Sequence, residues 1–164
     1  MNSNTKKLVM AALFAALACI ATMVVMIPSP LKGYINLGDC IVLLAGWKLG
    51  PKYGFLAAGL GSGLADMFAG YMLYAPATFV IKGLMAVVAF YLFAILEKMI
   101  NKATARISSA IVAEALMVIG YFGFEGVLYG LLPAAVNIPA NAVQGVAGVV
   151  VGCILIKLFE KVKF

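Results

Sequence analysis

Asp66 and Lys82 are two charges set in the apolar middle of this chain, on either side of the stretch GYMLYAPAT. A charge near the centre of a bilayer costs at least ~2.5 kcal/mol even on insertion scales, so such a residue marks a site by default. Other polar groups sit at helical spacing around them. Asn137, Asn141 and Gln144 follow an i, i+4, i+7 pattern and share one helix face. Glu114, Tyr121 and Glu125 fall on one stripe of another run, and Thr78 shares a face with Lys82. With Asp39, these groups offer charge and hydrogen bonds to a small polar ligand. They do not make a catalytic set. The chain has no histidine and lacks G-x-S-x-G, H-E-x-x-H and the phosphate-binding P-loop. Cys19, Cys40 and Cys153 have no metal-binding or redox spacing and read as small core residues. Neither a metal nor a cofactor is called for.

The elements that hold these residues must be membrane helices. Of 164 residues, 65% are hydrophobic and 11% charged, too little polar surface for a soluble domain. The net charge of +6 forms no basic patch with interleaved aromatics, which excludes nucleic acid as a partner. Cutting at Pro, Gly and polar residues predicts an all-α membrane protein with six transmembrane helices in one bundle. The spans are 6–27, 37–49, 52–70, 76–98, 107–130 and 134–158, forming a single domain over 1–164. The second is short for a spanning helix. Lys6 and Lys7 resemble the start of a signal peptide, but Leu8–Ile27 is too long for a cleaved apolar core, so the first span is expected to be retained.

If the spans alternate, ten of the 12 Lys and Arg residues lie on one side, leaving Lys32 opposite and Lys82 within a span. The positive-inside rule then places both termini in the cytoplasm. Asp39, Asp66, Lys82, Glu125 and the three amides gather in the outward half of the bundle, and Glu114 lies deeper. Polar stripes must turn away from lipid. They could bind a ligand or simply join helices by hydrogen bonds. Lys82 could be paired with Asp66 or Glu125, and Asp39 could cap the second span. Glu114 reads as structural, or as part of the coupling between states. Tyr34, Tyr71, Tyr74, Tyr121 and Tyr129 suit either an interfacial belt or a wall for a planar ring.

Small residues recur at four-residue spacing: Ala11 with Ala15, Ala12 with Ala16, Gly59 with Gly63, and Gly148 with Gly152. Such pairs let helix backbones approach closely. The glycine pairs suit packing within the bundle, whereas the alanine face of the first span could also dock another membrane protein.

AALFAALA in the first span, NLGD at Asn36–Asp39, LAD closing the third span and YAPATFVIKGLM around Lys82 together resemble the substrate-binding S components of energy-coupling factor (ECF) vitamin transporters. The likeness is greatest to the riboflavin-type group, with its hydroxymethylpyrimidine and pyridoxine relatives. The resemblance implies a vitamin-binding subunit in the cytoplasmic (inner) membrane of a prokaryote. Its partners would be a transmembrane coupling protein and two cytoplasmic ATPases, and it would deliver its cargo by toppling in the membrane. The docking face would be Ala11, Ala12, Ala15 and Ala16. Asp39, Asp66, Tyr74, Lys82, Tyr121, Glu125, Asn137, Asn141 and Gln144 are the expected substrate-binding residues. One lysine among acids and amides favours pyridoxine or hydroxymethylpyrimidine over the bulkier riboflavin. The chain itself is not expected to be an enzyme. A stand-alone secondary transporter, with protons carried by Glu114 or Asp66, is the alternative.

Overall fold

The computed structural model describes residues 3–161, which puts Lys163, counted above for orientation, outside the described residues. Five helices and one short strand pair follow in order: α1 (Ser3–Val24), β1 (Ile27–Pro28), β2 (Tyr34–Ile35), α2 (Gly38–Phe68), α3 (Ala75–Leu96), α4 (Lys102–Tyr129) and α5 (Leu131–Lys161). The chain is all-helical apart from β1 and β2, which pair antiparallel with Ile27 opposite Ile35. That hairpin shortens the first helix relative to expectation and was not foreseen from the sequence.

The expected second and third spans form one element, α2, broken at Gly50 (φ 78°, ψ 180°), with Pro51 next. A left-handed φ favours glycine, and proline tolerates the first helical position because its missing N–H is not needed there. The break folds α2 back on itself. A methyl group placed on Gly54 would lie 3.0 Å from the Ala45 carbonyl oxygen and 3.1 Å from Gly46 Cα. On a straight helix those residues would stand ~12 Å or more away. The described residues therefore form six helical segments.

α2 is the hub. It packs against α1, α3 and α5, while α3 meets α4 and α4 meets α5, closing a ring with α1 outside it. Small residues permit these contacts. Gly46 lies against the Ala86 backbone, Gly59 and Gly63 against Phe79, and Gly152 against Leu43 and Cys40. The intrabundle role expected of the glycine pairs is thus observed.

Asn101 caps α4, its side chain accepting from the Thr104 N–H at 2.9 Å, so α4 starts earlier than the apolar run suggested. α1, α3, α4 and α5 are each long and apolar enough to cross a membrane. α2 is not among them, because the Gly50 break and Asp39, Lys48, Lys52 and Asp66 interrupt its apolar runs. The buried side chains divide by depth. One half is apolar, with Leu43, Leu44, Met85, Met117 and Ile156. Lys48, Lys102 and Arg106 cluster at that end, where Lys48 donates to the Phe159 carbonyl and both Lys102 and Arg106 pair with Glu160. The opposite half is polar.

Candidate functional site

The loop from 29 to 36 lies over the polar half and is tied down by groups from α5. Asn137 Oδ1 accepts from the Leu31 N–H at 3.1 Å, and Gln144 Oε1 accepts from the Asn36 N–H at 2.9 Å and from Asn36 Nδ2 at 3.2 Å. Asn36 in turn accepts from the Gly38 N–H at 2.9 Å. It thereby takes the role at the start of α2 that had been considered for Asp39, which makes no capping bond. The helical spacing of the α5 amides works as expected: one face of one helix holds the loop.

Beneath the loop, Lys82 on α3 forms an ion pair with Asp39 on α2, with only 2% and 0% of the two side chains exposed. Gln144 Nε2 donates to the other Asp39 oxygen at 2.7 Å. Neither Asp66 nor Glu125 is the partner of Lys82, contrary to the pairing considered from the sequence. Asp39 comes closer because α2 doubles back beside α3, a contact that the order of the runs did not reveal. The pair supports the cavity described below without lining it. Charge in a dry interior requires such pairing plus further polar contacts; Gln144 supplies a hydrogen bond to Asp39, and the Tyr121 ring, 5.5 Å from Lys82 Nζ, a cation–π contact.

Above this pair, Asp66, Tyr74, Tyr121, Glu125, Asn137, Asn141 and Gln144 converge on a cavity of about 30 Å³. Tyr34 and Tyr71, not among the residues expected to bind, line it too. Tyr34 Oη donates to Asp66 at 2.5 Å. Burial first, and then the Asp66 carboxylate, push the Tyr34 phenol above its ordinary pKa, so it remains a donor at neutral pH. Asn137 Nδ2 donates to Glu125 at 2.8 Å; Tyr74 Oη faces the same carboxylate oxygen at 3.4 Å and also donates to the Lys32 carbonyl. Thr78 and Tyr121 share a hydrogen bond of 2.9 Å. The rings form a chain of tilted and edge-to-face contacts: Tyr34 with Tyr71 at 4.9 Å, Tyr71 with Tyr74 at 6.2 Å, and Tyr74 with Phe124 at 5.3 Å. The sequence signal for the pairing of Tyr34 with Asp66 is a tyrosine between the first two predicted spans, on the same side of the membrane as Asp66.

A larger vestibule of about 450 Å³ lies outside the cavity, and Ser29, Gly33, Tyr71 and Tyr74 line both spaces. Gly33 (φ 152°) sits at this partition, where an added methyl group would meet Ser29 Oγ at 3.2 Å. Glu114 lies below, on the far side of Asp39. It is buried, with neither carboxylate oxygen hydrogen-bonded among the described residues, and close against Gly145 and Gly148.

The alanine face of α1 splits. Ala11 is buried and Ala15 faces Gly61 of α2, so this pair packs inside the molecule. Ala12 and Ala16 point outward.

A bundle of apolar helices holding a polar cavity at one end marks a protein built to sit in a membrane. A model of the family described as "ECF-type riboflavin transporter, S component" matches residues 2–161. The chain belongs to that family, which is a family of transporter subunits and not of enzymes. A solved structure described as the S component of a bacterial ECF transporter superposes with a TM-score of 0.77 over 97% of this chain and 98% of the other, at 21% identity. It establishes the fold. A protein of Pyrococcus woesei described as "Uncharacterized protein in gap 3'region" is 35% identical over 138 residues, 81% of this chain and 87% of that protein.

Proposed function

We propose that the chain captures a heteroaromatic vitamin in the cavity under the 29–36 loop and passes it to an ATP-driven ECF module. The observation that carries this reading is the convergence of Asp66, Glu125, Asn137, Asn141 and Gln144 on a cavity also lined by Tyr34, Tyr71 and Tyr74. Carboxylates and amides recognise ring N–H, carbonyl and hydroxyl groups, and tyrosine faces hold a planar ring. The ligand enters through the vestibule, displacing Gly33 and the three tyrosines, because the inner cavity in its closed form admits only about 30 Å³. Lys82 and Asp39 act from beneath by fixing Gln144.

The six segments span the cytoplasmic membrane of a prokaryote, with both termini inside and the cavity facing out. This orientation rests on the basic residues gathered at the opposite end. Ala12 and Ala16 dock a transmembrane coupling protein bearing two ATPases, and toppling turns the cavity inward. Riboflavin is the cargo that the family's description names. The acids and amides that line the cavity support pyridoxine or hydroxymethylpyrimidine as the competing reading. Thermal-shift titration of the purified protein with all three decides between them: the cargo raises the melting point at submicromolar concentration and the others do not. Glu114, buried beside Asp39 with both carboxylate oxygens unpaired among the described residues, supports a second reading, a stand-alone proton-coupled carrier. Uptake that persists without the ATPases and collapses with an uncoupler would establish that reading instead.

A further inference from the structure

A groove between α4 and α5 runs along the outside of the bundle, away from the cavity that holds the vitamin in our reading. At the basic end it widens to about 280 Å³ beside Lys102, Arg106 and Lys157. Farther along the same two helices it opens again to about 380 Å³, walled by Ala115, Val118, Val146 and Val149. Groove-lining residues recur every three or four positions on both helices, from Ala103 to Val118 and from Lys157 back to Ala142, so the two spaces lie on one seam. Ala103 to Val118 is about 22 Å of helix, at 1.5 Å per residue. One leaflet of the hydrocarbon core is about 15 Å deep, half of its ~30 Å thickness. The groove is therefore long enough for an acyl chain that starts at the basic end.

The charge pattern specifies the head of that occupant. Three cations face a single acid, Glu160, which pairs with Lys102 at 2.6 Å and Arg106 at 2.7 Å. Lys157 belongs to neither pair. Arg106 is fixed in place, its guanidinium 4.9 Å from the Phe93 ring and 5.8 Å from Trp47. Ile107 and Ile154, both substantially exposed, begin the apolar wall immediately beyond. Two uncompensated positive charges at the mouth of a lipid-facing apolar groove complement an anionic head joined to a hydrocarbon tail.

We propose that this groove is a binding site for an anionic glycerophospholipid, with its phosphate at Lys102, Arg106 and Lys157 and one acyl chain laid between α4 and α5. The site would anchor the α4–α5 side to one leaflet, independently of which vitamin is carried.

The test is native mass spectrometry of the full chain released from bilayers holding equal amounts of phosphatidylglycerol and phosphatidylcholine. Two net charges, at about fivefold each, give a roughly thirtyfold preference for phosphatidylglycerol. Lys102→Gln with Lys157→Gln, both exposed positions, should abolish the preference without lowering the melting temperature. Ala115→Phe should reduce phosphatidylglycerol retention by filling the tail groove, whereas Val112→Phe, off the groove, should leave it unchanged. Equal retention of the two lipids, or a preference that survives the double substitution, would overturn the proposal and leave the groove to an acidic segment of another membrane protein. Inorganic phosphate displacing the lipid at equal concentration would overturn the assignment of the tail.

Discussion

Removing the Lys82 ammonium is the most informative perturbation of the polar half. Lys82 and Asp39 are buried together, and Asp39 also receives Gln144, which in turn holds Asn36 and the covering loop. Lys82→Met keeps the apolar stem and deletes the charge, leaving Asp39 a buried anion with one hydrogen bond. Breaking a buried pair from one side costs about 3–5 kcal/mol, whereas replacing both partners with apolar groups is often close to neutral. Lys82→Met and Asp39→Leu should therefore each destabilise by about 3 kcal/mol or more, while the double variant should recover most of the loss. Reversible denaturation in mixed micelles, followed by tryptophan fluorescence, reads this directly because Trp47 lies in the hydrophobic core. The same cycle separates support from ligand contact. With Asp39→Asn in place of Leu, which removes the charge but keeps an oxygen for Gln144, ligand affinity should recover in the double variant along with stability if Lys82 acts only by fixing Gln144. Additive losses in stability would refute the pairing. Affinity that stays lost in a restored fold would show that Lys82 touches the ligand.

Three other outcomes are expected. Tyr34→Phe removes the donor to Asp66 and should destabilise the protein by about 1.5–3 kcal/mol, the worth of one hydrogen bond to a charged group, in the same denaturation assay. Gly148→Val pushes side-chain atoms into Glu114 and Asp39 and should destabilise by about 1–3 kcal/mol in the same denaturation assay. Ala12→Leu with Ala16→Leu should abolish transport in reconstituted vesicles while sparing vitamin binding. Ala11→Leu with Ala15→Leu should also lower the melting temperature, because those residues face α2.

Much of this was legible in the sequence because a bilayer leaves few options for polar groups. The i, i+4, i+7 amides had to share a face and turn inward, and they do. Asp66, Glu125, Tyr34, Tyr71, Tyr74 and Tyr121 do converge on one cavity, whereas Tyr129 lines only the vestibule. Partnership was harder to read. Lys82 could be matched with any acid at its depth, and only the fold-back at Gly50 brings Asp39 to it. Asp39 at a helix start looked like a cap, but Asn36 two residues before the helix makes the bond that caps need. The alanines of α1 carry two faces, and spacing alone cannot say which packs inward; Gly61 settles it by admitting Ala15. The β1–β2 hairpin has two residues per strand and no periodicity to reveal it.

The central claim is that the cavity under the 29–36 loop binds a vitamin. Titrating the detergent-purified protein with riboflavin, pyridoxine and hydroxymethylpyrimidine, beside Asn141→Ala, tests it most directly, because Asn141 lines the cavity with no hydrogen-bonding partner among the described residues. The account predicts tight binding of one vitamin, with affinity reduced about tenfold or more in the variant at unchanged fold stability, for the loss of one buried hydrogen bond to the ligand. No binding of any vitamin, or equal affinity with and without the Asn141 amide, would contradict it.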